Sequence, residues 1–144
     1  MLPFKNKVVK IEVSGATLRA VLEHAVARSS EDVAPGRFLQ ISGVRFAFDG
    51  RQPAGSRVVD VTVNGAPLDG KRTYTIASSD YIAIDGGDGY AMLKTARVLI
   101  PAERAQFDSD VLQAAIVAKK VIAPKTDGRI KRLDQYQNQK SECL

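Results

Sequence analysis

Val9, Ile11 and Val13 alternate with Lys10 and Glu12, the period-two pattern of a strand with one buried face, and this predicts a first strand over Val8 to Val13. Ser14-Gly15 interrupts the alternation, with Ser14 placed to cap the next element. Leu18, Val21, Leu22, Ala25 and Val26 then recur at helical spacing, so a helix is expected from Ala16 to Arg28. Ser29 to Gly36 reads as a loop that turns at Pro35-Gly36. Two β-prone runs come next, Phe38 to Ser42 and Val44 to Phe48, with Gly43 as a bulge or bend between them. After the Asp49-Gly50 turn and a loop at Pro53 to Ser56, Val59, Val61 and Val63 alternate with Asp60 and Thr62 in another strand. Asn64-Gly65 is a tight-turn signal, Pro67 to Gly70 a second turn, and Thr73 to Ala77 a further strand.

The rest of the chain repeats these signals less regularly. Ala91 to Thr95 suits a short helix, and Val98 to Ile100 a strand stopped by Pro101. Asp108-Ser109-Asp110 supplies caps and negative charge for a helix with Val111, Leu112, Ala115, Ile116 and Ile122 along one side. Lys119 and Lys120 lie near its C-terminus, and Arg129 to Leu133 suits a last strand. No internal repeat or linker interrupts this order. It predicts one α+β unit of mixed sheets packed with helices over residues 1–133. Residues 134–144 are polar and aperiodic, and are expected to form a disordered tail.

Composition narrows the chemistry. The 144 residues include one histidine, His24, in the first helix, and one cysteine, Cys143, in the tail. A metal centre needs several converging ligands, so no metal site and no catalytic constellation is expected in this chain. Neither GxxxxGK[ST] nor GxGxxG occurs. No apolar run approaches the ~20 residues that span a bilayer, so no membrane segment is expected. No basic-then-apolar leader opens the chain, and the compartment stays open. The net charge is +5, but the late basic residues alternate with apolar ones. They read as solvated surface, and nucleic acid is not expected as a partner. Gly86-Gly87-Asp88-Gly89 is, on composition alone, a tight strand-to-helix turn in which Asp88 caps the chain from Ala91 onward.

Taken together, five segments resemble the C-terminal, substrate-binding domain of the 5'-nucleotidase and UDP-sugar hydrolase family. They are Leu2-Pro3-Phe4-Lys5-Asn6, Glu23-His24 with Phe38-Leu39-Gln40, Pro53 to Val59 with its Arg57-Val58-Val59, the Tyr81 to Tyr90 segment containing Gly86-Gly87-Asp88-Gly89, and Gly128-Arg129-Ile130. Their order holds from Leu2 to Arg132. The resemblance implies the family's α+β fold and a nucleoside or nucleotide as ligand. It implies that Phe4 and Tyr81 hold the nucleobase between them, that Asn6 contacts the base, and that Asp88 hydrogen-bonds the ribose.

The sequence departs from the family in two places. An extra residue falls at Ile84-Asp85, between the aromatic and the aspartate. The family domain also begins before its leucine-proline-phenylalanine motif, with arginines for ribose and phosphate, so the domain here is expected to be N-terminally incomplete. Divalent metals are expected only in the family's two-metal catalytic domain, so the chain alone is expected to be inactive. Family members are mostly extracellular, cell-surface or periplasmic, and their C-terminal domains make dimer contacts. A homodimer, or a purely structural or dimerisation role without ligand binding, is the alternative that this resemblance leaves open.

Overall fold

The computed structural model describes residues 4–29 and 36–134. Leu2 and Pro3, most of the expected Ser29 to Gly36 loop, and residues 135–144 of the expected tail lie outside the described residues. The fold is α+β, with mixed sheets and helices. Its contacts divide the chain into two compact units: residues 1–18 with 71–125, and residues 19–70 with 126–144.

The first unit is built on β1 (Val8–Ser14), which lies between β5 (Thr73–Ser79) and β6 (Arg97–Ile100) and runs antiparallel to both. Its alternation is the one expected: Val9, Ile11 and Val13 are buried, whereas Lys10 and Ser14 are exposed. Tyr90, Ala83 and Leu93 are also buried. Ser14 does cap α1 (Gly15–Val26), its Oγ accepting from Thr17 N–H at 3.1 Å. After β5 come α2 (Asp80–Ala83), a 3-10 turn at Gly87–Gly89 and another at Ala91–Leu93. The sequence pattern did not predict α2, because one helical turn is too short to show a 3.6-residue period.

Later in this unit, α3 (Asp108–Lys119) forms as expected, with Asp108 and Asp110 in its first turn. Its apolar residues are not buried by the described residues: Leu112 is half-buried, but Val111, Ile116 and Val117 are exposed. Ile122 is not part of the helix. The helix ends when Lys120 takes a φ of 59°, so Ile122 leaves the expected side.

The second unit has the strand order β4 (Ala66–Pro67), β3 (Val58–Val63), β2 (Val44–Phe48), β7 (Ile130–Arg132). β2 and β3 are antiparallel, and β7 joins β2 in parallel with Phe46 opposite Ile130. Asn64-Gly65 forms the expected two-residue hairpin, with φ values of 50° and 85° and Val63 opposite Ala66. Leu22, Val26, Phe46, Phe48, Val58 and Val61 make the core.

Two expectations fail in this unit. Phe38 to Ser42 is not a strand. Both sides of β2 are already taken by β3 and β7, and Phe38 and Ile41 instead pack their side chains onto the core. Val59 is 49% exposed, whereas Val58 is buried. The β2–β3 register shifts between Phe46 and Phe48, and that irregularity changes which residues face inward.

Two of the segments noted in the sequence form one hydrogen-bonded assembly. The buried Glu23 carboxylate accepts from Arg57 N–H at 2.9 Å and Val58 N–H at 3.0 Å. The Arg57 guanidinium donates to the Val26 and Ala27 carbonyls at the end of α1, at 2.7 and 2.6 Å, and to Gln52 O. Arg57 thus satisfies carbonyls that the helix end leaves open, with a charge of the sign that favours that end. Arg129 likewise anchors its own segment through Nη1 to Ile41 O at 2.7 Å.

Guanidinium hydrogen bonds lower three carboxylates of this unit: Asp49, beside Arg51, is held well below the usual carboxylate range, and Asp127, beside Arg129, and Asp134, beside Arg132, are lowered as well. Each prefers its ionised form in the folded chain. Their stabilisation is therefore complete above the ordinary carboxylate range and is lost as pH falls through the lowered values. The melting temperature should drop below about pH 4, and Asp134→Asn should make that drop shallower. Thermal unfolding followed from pH 5 to about pH 2 checks this. A melting temperature unchanged over that range would contradict it.

Candidate functional site: the Tyr81–Asp88 turn and the Phe4–Asn6 segment

All four residues singled out in the sequence belong to the first unit. β5 delivers the chain to Ser79, whose Oγ accepts from Ile82 N–H at 3.3 Å and starts α2. Tyr81 sits in this single turn and is 44% exposed. The Ile84 and Asp85 amides both donate to Asp80 O, at 2.8 and 3.1 Å. Gly86 then takes a φ of 69°, a conformation that suits glycine, and the chain doubles back.

The return brings Gly87 under the Tyr81 ring. A Cβ built on Gly87 would overlap Cζ, Cε1 and Cε2 of that ring. One face of Tyr81 is therefore backed by main chain, while the side chain as a whole stays partly open. The Tyr81 hydroxyl donates to Asp88 Oδ1 at 3.3 Å. Tyr90, fully buried, anchors the far end of the turn.

Tyr81 and Asp88 are thus brought into direct contact, and the extra residue at Ile84-Asp85 does not separate them. It is taken up between α2 and Gly86. Asp88 does not cap Ala91 onward: Tyr90 precedes that 3-10 turn without a side-chain cap, and Asp88 bonds Tyr81 instead.

The segment that carries Phe4 and Asn6 is tied to this turn at Lys7, through the main chain. Phe4 is 80% exposed, so it lies outside the core. Lys5 has a φ of 52°, which turns the segment ahead of β1. Lys7 N–H donates to Asp80 Oδ1 at 3.0 Å, and Tyr81 N–H donates to the same oxygen at 3.0 Å. On the other side, Val8 N–H bonds Gln106 O, and Asp108 N–H bonds Asn6 O, both at 2.9 Å. Asp80 and Gly87 are the residues here that sequence reasoning did not assign a role. An acidic residue starting a helix was a visible signal for Asp80, but its partner Lys7 is 73 positions away and gave none.

A flat ring backed by main chain on one face, an exposed second ring on a neighbouring segment, and a carboxylate at the ring's edge suit a planar ligand that carries hydroxyl groups. A different recess, of about 220 Å³, lies in the second unit beside Arg45, Asp127 and Arg129. It contains none of the expected site residues, and both arginines already bond Asp127.

Comparison with known proteins agrees with the motifs. The family model for the 5'-nucleotidase C-terminal domain matches residues 1–95. The chain belongs to this family. A 5'-nucleotidase of Diplobatis ommata is 38% identical over 138 residues, covering 90% of this chain and 23% of that protein. A 5'-nucleotidase-related protein of Glossina morsitans morsitans is 36% identical over 136 residues, covering 89% of this chain and 24% of that protein. The crystal structure of a 5'-nucleotidase precursor from Thermus thermophilus superimposes with a TM-score of 0.83 at 37% identity, over 91% of this chain and 26% of that one. The chain spans about a quarter of the length of the relatives it matches. Its fold is that of the 5'-nucleotidase C-terminal domain. Among the described residues, no group of three or more His, Cys, Asp or Glu side chains could hold a metal ion, and no helix is long and apolar enough to cross a membrane.

Proposed function

We propose that this chain is the nucleoside-recognising part of a 5'-nucleotidase-type metallophosphoesterase, an enzyme class that hydrolyses nucleoside 5'-phosphates or related phosphate esters. The base lies between Phe4 and Tyr81, Asn6 reads an edge of the base, and Asp88 accepts from ribose hydroxyls. The observation that carries this reading is the Tyr81 ring resting on Gly87 with its hydroxyl on Asp88. It puts an aromatic ring and a carboxylate acceptor side by side, which supports the reading. In this reading the part of the chain is binding. Activating water for attack on the phosphate belongs to a two-metal catalytic domain.

Adenosine titrated into the chain should bind saturably. Phe4→Ala and Tyr81→Ala should each remove roughly 1–3 kcal/mol of that affinity, the usual worth of a base–aromatic stack. Asp88→Asn should weaken adenosine but not free adenine, because only the ribose uses the carboxylate. Calorimetric titration of the four proteins measures this. Equal affinity in the wild type and both ring variants would remove the reading.

A second reading, a non-catalytic structural or dimerisation role without ligand binding, is favoured by one observation: Val111, Ile116 and Val117 of α3 are exposed among the described residues. Apolar surface of this kind favours association. Sedimentation showing a dimer, together with no adenosine binding, would select it.

A further inference from the structure

We propose that Asp80 is the positioning residue that keeps the Phe4–Asn6 segment and Tyr81 in register as two halves of one site. This deepens the nucleoside reading and rests on it for the ligand. The clamp itself rests on backbone geometry. Asp80 binds Lys7 twice: its N–H donates to Lys7 O at 2.9 Å, and its Oδ1 accepts from Lys7 N–H at 3.0 Å. The same Oδ1 also accepts from Tyr81 N–H at 3.0 Å.

One carboxylate oxygen thus fixes the distance between two amides far apart in the sequence, and an ionised acceptor makes both bonds stronger than neutral ones. β1 and β5 pair with Val8 opposite Ser79, so Asp80 acts where the regular ladder ends, and its carboxylate adds a second tie to the single main-chain bond from Asp80 N–H to Lys7 O. On its opposite side, the Lys7 segment is already bonded to Gln106 and Asp108. Asp80 is therefore the tie on the Tyr81 side. Capping α2 does not account for it. A cap needs only the bond to the helix's own amide, and Ser79 already supplies a side-chain acceptor to Ile82.

Residue chemistry separates the clamp from the cap. Asp80→Asn keeps an oxygen at the same reach. Asp80→Ala removes it. Asp80→Ser leaves a hydroxyl able to serve the adjacent Tyr81 amide but too short for Lys7.

The test uses the full chain, with adenosine as the probe and amide hydrogen exchange read by NMR. Asp80→Ala and Asp80→Ser should each weaken adenosine binding about tenfold and speed exchange at Lys7 N–H. Asp80→Asn should stay within about threefold of the wild type on both. If Asp80→Ala fails to fold, Asp80→Ser against Asp80→Asn decides alone. Wild-type affinity in the Ser variant, or equal losses in Ser and Asn, would overturn the proposal. If the wild type binds no adenosine, the nucleoside reading fails separately. The clamp is then judged on exchange: faster exchange at Lys7 in the Ser variant supports it, and unchanged exchange overturns it.

Discussion

Replacing Leu22 by alanine is expected to destabilise the chain by about 2–5 kcal/mol, the usual cost of truncating a buried leucine. Leu22 is 1% exposed and packs in one cluster with Val26, Phe46, Phe48, Val58 and Val61. The loss combines transfer energy with a cavity that these neighbours can close only in part. Two of them sit on β2 and two on β3, where the ladder holds their main chain. Glu23, the next residue, holds the start of β3 through two amides, which further limits how far the helix can move to fill the gap. Small domains have roughly 5–15 kcal/mol in total, so the variant should approach the edge of folding. Urea denaturation measures it. Tyr81→Ala, at a ring that is 44% exposed, should change stability much less. A Leu22→Ala loss below about 1 kcal/mol would mean that the cluster is not the stabilising core.

Gly87→Ala should abolish most nucleoside binding while leaving the fold intact. The reasoning is steric. The added methyl would occupy the space of the Tyr81 ring, so the ring must swing away and its hydroxyl must leave Asp88. Backbone strain is not the cause, because Gly87 is not among the glycines with positive φ. Gly86 is the contrast: its φ is 69°, and an added Cβ would also meet Lys94 and Ala91, so Gly86→Ala should cost stability as well. At least a tenfold loss of adenosine affinity is expected for Gly87→Ala, with a melting temperature close to that of the wild type. Titration and thermal unfolding of the same samples separate the two effects. Normal affinity in this variant would show that Tyr81 does not need its glycine platform to bind ligand.

The legible parts of the fold were those governed by local physics. The alternation of β1, the apolar face of α1, the Ser14 cap and the Asn64-Gly65 hairpin all depend on residues within a few positions of one another. The failures depend on partners elsewhere. Phe38 to Ser42 has strand-like composition, but β7, from the far end of the chain, takes the available side of β2. Val59 fits the alternation, yet a register shift fixed by β2 turns Val58 inward. The apolar residues of α3 predicted burial, and the described residues supply no surface for it.

The site divides along the same line. Phe4, Asn6, Tyr81 and Asp88 came from family motifs, since composition alone left Gly86 to Gly89 as a turn. The tie from Asp80 to Lys7, and the fit of a ring over Gly87, are properties of contact that no local pattern encodes.

The central claim is that this corner of the first unit binds a nucleoside. An NMR titration of the isotopically labelled chain with adenosine tests it most directly. Saturable shifts concentrated at Phe4, Asn6, Tyr81 and Gly87-Asp88, and lost in Tyr81→Ala, are the predicted result. Shifts that never saturate, or that gather at the Arg45, Asp127 and Arg129 recess instead, would contradict it.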